Sequence, residues 1–324
     1  MKTQNRFLAL ALTVVASLTS FAGYAKAQTT TQTFGTGGNS FSLDFQTIGN
    51  AGNAADTTGY GAVNYSYGIG TYDISVNQLN AATANGVQGL GNGYWSGNQP
   101  AANVSWYQAA AFVNFLNTST GHQAAYNLTY SGGAYTMALW SSGQSGYDPS
   151  NPFRNSLALY VLPSENEWYK AAFYNPNANG GAGGYNLYST GNSVPTAVAS
   201  GTNAGTVVYG QIVYQGPASV TQAGGLSPYG TMGQMGNLYQ WEESADTGSN
   251  TNATAARGLR GGDWYDGATY MQSTSRVGGA GPTATADIIG FRVAQVNAVP
   301  EPSTYVLFGL GALVLIVVSR RKNA

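Results

Sequence analysis

The chain has no cysteine, one histidine and few charges: Asp, Glu, Lys and Arg make up 8% of its 324 residues. Without cysteine there is no disulfide, no thiolate metal site and no thiol chemistry, so stability has to come from a packed core. The single histidine, His122, cannot build the facial ligand set of a non-haem iron enzyme, and its polar setting reads as a solvated loop. No serine sits in a nucleophile elbow or beside a recognisable oxyanion hole, which leaves a serine hydrolase without support. Of the 12 Lys and Arg, Lys2, Arg6, Lys26, Arg320, Arg321 and Lys322 lie in the terminal segments. The region between them is mildly acidic and carries no basic stripe for phosphates, so nucleic acid is excluded as a partner. What the chain does have is glycine, 45 residues, and tyrosine, 23, with 6 tryptophans. So many rings contradict disorder and point to long, ordered loops held by aromatic packing.

The two ends read as addresses. Residues 1–27 combine Lys2 and Arg6, an apolar stretch from Phe7 to about Ala16, and small residues closing on Ala25-Lys26-Ala27, the three-part layout of a secretory signal peptide. The tail, residues 298–324, carries VPEP, an apolar run of 14 residues from Tyr305 to Val318, and a basic SRRK. A helix needs roughly 17–25 residues to span a bilayer core, so this run makes a thin anchor at best. The order of these features resembles the PEP-CTERM sorting signal of exported bacterial proteins. That resemblance implies an exosortase-type processing enzyme as partner, transient anchoring of a transmembrane segment in the inner membrane, and a mature protein at the cell surface or extracellular. A plain C-terminal anchor is the alternative. The mature chain is expected to run from near Gln28 to near Pro300.

Between these signals we expect a short N-terminal extension, residues 28–41, and one domain, residues 42–297. Phe41, Leu43 and Phe45 alternate with polar residues, as do Val63, Tyr65 and Tyr67, which is the period of half-buried strands. Two helices stand out. Ser105 caps a segment with Ala109, Phe112, Val113 and Leu116 on one face, ended by Gly121. Ser164 and Glu167 form an S-x-x-E capping box before Trp168, Ala171 and Ala172, with Pro176 beyond. From about Asn177 onward no helical period recurs, and short strands and loops are expected.

Six blocks follow one another: GTYDISVNQ, NVSWYQAAAFVNFLN, YVLPSENEWYKAAFY, YGTMGQMGNLYQWEES, RGLRGGDWYDGATYMQSTSR and IIGFRVA. Together they resemble the formylglycine-generating enzyme, or sulfatase-modifying factor, family, from Ser42 to Ala294. The resemblance implies an α+β, C-type-lectin-like fold: a small twisted antiparallel sheet, two main helices and extensive loops. It also implies copper chemistry on two cysteines, but those positions fall at about Asp266 and Met271. A carboxylate and a thioether cannot replace a thiolate pair that holds Cu(I), so no copper is expected. The family's structural calcium implies ligands at Asn186 and the Leu187 carbonyl. A weaker second site would use Gly236, Asn237, Leu238 and Gln240, where Gln240 stands for a charged ligand.

Trp106, Trp168, Trp241 and Trp264 are expected to tie loops to the sheet, and Arg260 and Arg292 to satisfy backbone carbonyls or a carboxylate. The pairs Glu165/Glu167 and Glu242/Glu243 give no support to acid–base catalysis. Asp263, Trp264, Tyr265 and Asp266 form the candidate ligand site, with acids to bond sugar hydroxyls and a ring to stack on a sugar face. The sequence thus reads as an exported, non-catalytic binding protein for carbohydrate or protein. An enzyme with an unrecognised cysteine-free site and a purely structural matrix protein are the alternatives.

Overall fold

The computed structural model describes residues 28–296 apart from 92 and 249; the signal peptide and the sorting tail read from the sequence lie outside them. The first sheet contains β1 (Thr29–Phe34), β2 (Phe41–Ile48) and β3 (Tyr67–Gly70), paired antiparallel in that order. The alternation in β2 turns Leu43 and Phe45 inward. Residues 28–41 are therefore not an extension ahead of the domain: they supply its edge strand, with Thr29 opposite Gln46 and Phe34 opposite Phe41. Of the expected strand at 63–67 only Tyr67 is in β3, Val63 and Tyr65 lying in irregular backbone before it.

Among the described residues three helices of nine residues or more, rather than two, follow, each opened by the same device. In α1 (Val76–Ala84), α2 (Trp106–Ser119) and α3 (Glu165–Phe173) the capping serine, Ser75, Ser105 or Ser164, accepts the N–H of the residue three further on, whose side chain bonds back to the serine N–H. α1 leaves little periodic signal in the sequence, because only Val76, Leu79 and Ala82 of its nine residues are buried apolar positions, and S-x-x-Q at Ser75 is its one local mark. α2 lays Trp106, Ala109, Phe112, Val113 and Leu116 into the main core, where the Phe112 ring meets Phe41 at 5.8 Å and Phe291 at 5.5 Å. A hairpin of β4 (Asn127–Ser131) and β5 (Ala134–Ala138) and the short β6 (Tyr160–Val161) separate α2 from α3.

The second sheet is built late in the chain from β7 (Tyr239–Ala245), β8 (Arg257–Arg260), β9 (Val277–Ala280) and β10 (Ile289–Gly290), in the order β9-β8-β7-β10. β10 runs parallel to β7, and the other pairs are antiparallel. The last strand, β11 (Ala294–Gln295), returns to the first sheet between β3 and β6. Arg292 lies between the strands that join the two sheets and is fully buried. Its guanidinium donates to the carbonyls of Gly70 (2.7 Å) and Met232 (2.8 Å), to Asp73 (3.1 Å) and to Gln240 (2.7 Å). That is the structural duty expected of an arginine in the GFRV block.

Candidate functional site

β8 ends at Arg260, and Gly261 and Gly262 take the chain through φ of 111° and 75°. A Cβ on Gly262 would lie 2.4 Å from the Met271 Cε, so this turn requires glycine. Asp263 Oδ1 then accepts the N–H groups of Tyr265 (2.7 Å) and Asp266 (2.9 Å). Asp266 Oδ2 accepts the Asp263 N–H (3.2 Å) and the Tyr239 hydroxyl (2.6 Å). Burial first, and then the neighbouring Asp266, push the Asp263 carboxyl up to about 6. One oxygen of each acid is thus engaged, Asp263 Oδ1 by the turn and Asp266 Oδ2 by the turn and Tyr239, and Asp263 is buried. Trp264 is 2% exposed and packs with Ala102, Val208, Ala218 and Leu238, so the ring expected to stack on a sugar is a core residue. Met271 is buried as well. Of the four expected ligand residues, Tyr265 alone is exposed, at 57%.

Around that core the surface is aromatic. The Trp95 ring stands edge-on to Trp264 at 5.3 Å and to Tyr94 at 4.9 Å. The loop 210–216 is pinned beside them by the Gly210 N–H to the Asp266 carbonyl and the Gln211 N–H to the Trp264 carbonyl. A Cβ on Gly216 would come within 2.8 Å of Trp95, which fixes how close this loop runs. The outcome is a rim of exposed Tyr94, Ile212, Val213, Tyr214, Tyr265 and Tyr270, with Tyr214 93% exposed. The sequence reading found one member of this rim, because Tyr94 and the 212–214 loop are brought in from elsewhere in the chain.

The calcium positions fare unequally. Gln240 Oε1 accepts Trp168 Nε1 (2.6 Å) and Arg292 Nε (2.7 Å), and its Nε2 donates to the Gly233 carbonyl (2.6 Å). An oxygen already holding two donors, one of them a guanidinium, does not fit a cation, and the second site is corrected to a hydrogen-bond hub. Asn237 spends its side chain on the Ala218 backbone and its carbonyl on the Trp264 N–H. Gly236 donates to the Gly261 carbonyl, and Leu238 is buried in the Trp264 cluster. At the first place, the Leu187 carbonyl accepts the Ser273 N–H at 2.8 Å, and Asn186 is buried. The oxygens named here, an amide and a peptide carbonyl, are neutral, and among the described residues no three or more His, Asp or Glu side chains stand together as a metal site.

The glutamates dismissed one pair at a time assemble across elements. Neighbours on a strand point to opposite faces, so Glu242 and Glu243 of β7 leave in different directions. Glu243 joins Glu167 of α3 around Arg154, whose Nε is 2.7 Å from Glu243 and whose Nη2 is 3.3 Å from Glu167. Burial works to raise the Glu167 carboxyl, but Arg154, the Ser164 N–H and the Tyr65 hydroxyl outweigh it and hold it below its usual range. On the other face Glu165 binds Arg260 (2.7 Å) and Arg276 (2.7 Å), and Arg276 also holds Asp246 (2.6 Å). Glu242 faces this second cluster with both carboxyl oxygens unpartnered among the described residues, 3.7 Å from Arg260 Nε at nearest. No signal in either two-residue motif could reveal this, since each cluster needs one residue from each of several elements.

Comparison with known proteins agrees with the arrangement. The sulfatase-modifying factor enzyme 1-like domain profile matches residues 25–297, and a PEP-CTERM protein-sorting motif matches residues 298–322. No curated protein matches the chain. Among solved structures, Treponema denticola variable protein 1 superposes with a TM-score of 0.54 at 20% identity, over 82% of this chain and 98% of that one. CarF gives 0.49 at 17% identity, over 84% and 98%. The first of these carries the fold, which is the expected C-type-lectin-like α+β architecture. The sorting motif supports an exported protein and implies processing by an exosortase. With the profile covering the whole described domain and the fold agreeing, the chain belongs to the sulfatase-modifying factor enzyme 1-like family.

Proposed function

We propose that this is a non-catalytic binding protein of the cell surface or extracellular matrix, and that its tyrosine-rich rim engages a protein partner. One observation carries the reading: Tyr94, Ile212, Val213, Tyr214, Tyr265 and Tyr270 are exposed around the half-buried Trp95 and the buried Trp264 it packs on. Rigid aromatic side chains on ordered loops give large contact area at little entropic cost, the composition that protein interfaces favour. A carbohydrate fits this place less well, since Asp263 and the Trp264 ring are buried and Asp266 already holds the Tyr239 hydroxyl. Aliphatic Ile212 and Val213 fit a protein surface better than a hydroxyl-rich ligand.

The non-catalytic half rests on the chain itself. No cysteine is present, and the positions of the family's thiols hold a turn-forming carboxylate and a buried thioether. Formylglycine found by mass spectrometry in a cysteine peptide incubated with the protein would sink that half. The binding half is tested by a photo-crosslinking residue at position 214 in exporting cells. A discrete adduct with one protein, absent when the crosslinker stands at Thr136 in the β4–β5 hairpin, is expected; no adduct at 214 overturns it.

A further inference from the structure

The end of β7 and the start of α3 border a cleft that the sequence reading did not find. It has a volume of ≈ 490 Å³, and its walls include Tyr60, Asn151, Glu165, Asn166, Asp246 and Arg276. Through Ser150 and Asn151 it adjoins a second hollow of ≈ 390 Å³ that reaches Tyr65 and Arg154. The first hollow is lined by hydroxyl, amide, carboxylate and guanidinium groups, with Tyr60 supplying an aromatic face. This is the reverse of the apolar lining expected for a drug-like ligand.

Three features narrow what such a cleft takes. First, its charges are balanced and fixed. Arg276 bridges Glu165 (2.7 Å) and Asp246 (2.6 Å), and Arg260 holds Glu165 from behind at 2.7 Å; with the neighbouring Glu242 carboxyl pushed by burial toward its neutral form, two carboxylates face two guanidiniums. A charged ligand finds no net opposite charge here, yet each paired carboxylate keeps lone pairs free to accept further O–H donors. Second, Asn151 Oδ1 is a buried acceptor without a partner among the described residues, while its Nδ2 donates to Glu243 at 3.2 Å. This orphan lies just behind the cleft surface, and an Asn151 amide that turns toward the cleft gains from a ligand the donor it lacks. Third, the groups are preorganised: the Asn166 side chain is fixed by the Gly61 N–H (2.9 Å) and Ser244 by the Glu165 N–H (2.9 Å). Binding therefore orders few side chains.

We propose that this cleft is a binding site for a neutral, hydroxyl-rich ligand of the carbohydrate class, with Asn151, Glu165 and Asp246 accepting its hydroxyls and the Tyr60 and Tyr65 rings at the two ends offering faces for its C–H edges. It uses none of the rim residues, so it stands or falls independently of the protein-binding reading.

The test is calorimetric titration of the purified protein with cellotetraose, maltotetraose, laminaritetraose and chitotetraose, with tetragalacturonate as a charged control. At least one neutral tetrasaccharide is expected to bind, and more tightly than the acidic one. Ser150→Trp, a change at an exposed position shared by both hollows, should abolish that binding. Asn151→Ala should weaken it at least tenfold, and Tyr214→Ala should leave it unchanged. Melting curves verify that each variant is folded, and either cleft variant alone suffices if the other is not. The proposal is overturned if no neutral tetrasaccharide binds, if the acidic control binds best, or if a folded cleft variant binds like the parent chain. It is equally overturned if Tyr214→Ala abolishes binding, which would place the sugar on the rim.

Discussion

Glu242 and Glu243 are neighbours on one strand, both essentially buried, and they live in opposite circumstances. Glu243 accepts Tyr126 Oη (2.7 Å), Arg154 Nε (2.7 Å) and Asn151 Nδ2 (3.2 Å). Glu242 accepts nothing among the described residues, although Arg260 is close by. The reason is that four of the five Arg260 N–H groups point elsewhere: Nε and Nη2 go to Glu165, and Nη1 goes to the carbonyls of Ser273 and Ser275. Burial and then Glu165 push the Glu242 carboxyl up to about 8, against the pull of Arg260 and Arg276. Burial at the same depth thus leaves one glutamate with three hydrogen-bond partners and pushes the carboxyl of the other up. What decides is whether the facing element has a donor to spare. Space matters too, since a Cβ on Gly258 would lie 2.4 Å from Glu242 Oε2.

The comparison is most severely tested by removing the donor that makes Glu243 the fortunate one. Arg154→Met keeps the bulk of the stem but leaves Glu167 and Glu243 facing each other without a cation. Stranding a buried carboxylate typically costs about 3–5 kcal/mol, and that loss is expected in urea unfolding at neutral pH. A loss below about 1 kcal/mol would mean that the hydroxyls of Tyr65 and Tyr126 hold both acids unaided.

Glu242→Gln tests the other face and should have the opposite sign. An unfolded glutamate titrates near its ordinary 4.5, whereas the folded one holds its proton up to about 8. A raised folded value means that the contribution is full below the unfolded value and is lost as pH rises. Between those limits the unfolded state binds fewer protons, so wild-type stability falls by up to about 1.4 kcal/mol per pH unit. The glutamine cannot ionise. Its stability relative to wild type is expected to climb by on the order of 2–3 kcal/mol from pH 5 to pH 8, in a difference curve that cancels every other group. A flat difference curve would place Glu242 in an ionised state with a partner.

These two glutamates also mark what could be read in advance. Helices α2 and α3 were legible because their signals are local: a serine, a glutamate or glutamine three residues on, and an apolar stripe. The duties of Arg260 and Arg292 were legible because a guanidinium among tightly packed backbone has few alternatives. The order of the six blocks carried the family. The site was not legible, because exposure is decided by distant residues. Trp264 looks like a ligand platform until Trp95 and Leu238 cover it, and Asp263 looks available until it is buried with one oxygen held by its own turn. The cleft needed Glu165, Asp246 and Arg276 from three elements, and no spacing encodes such a meeting.

An intermediate effect is expected at Gln240, two positions before Glu242 and on the same face. Gln240→Glu keeps an acceptor for Trp168 and Arg292 but replaces the donor to the Gly233 carbonyl with a second oxygen. Losing that donor inside the core should cost about 1–3 kcal/mol, measured by urea unfolding. A variant as stable as the parent would show that the hub has room for a carboxylate, and would restore the case for a charged calcium ligand there.

The smallest effect concerns calcium itself. At Asn186 and Leu187 the oxygens are neutral, and the Leu187 carbonyl already accepts the Ser273 N–H. Calcium affinity rises with the number of charged oxygens, and weakly charged extracellular sites bind at about 10⁻⁴–10⁻³ M. With calcium near its dissociation constant the native state gains RT ln 2, about 0.4 kcal/mol, which for a domain of this size moves Tm by roughly 1–2 °C. Scanning calorimetry in 1 mM calcium against chelator measures it. A shift of ten degrees would demand a charged ligand, and the Glu242 carboxyl, which accepts no hydrogen bond among the described residues, is the group with oxygens to give. Repeating the scan on Glu242→Gln then decides the matter: a large shift that vanishes in the variant makes Glu242 a calcium ligand, and one that persists sends the search back to Asn186.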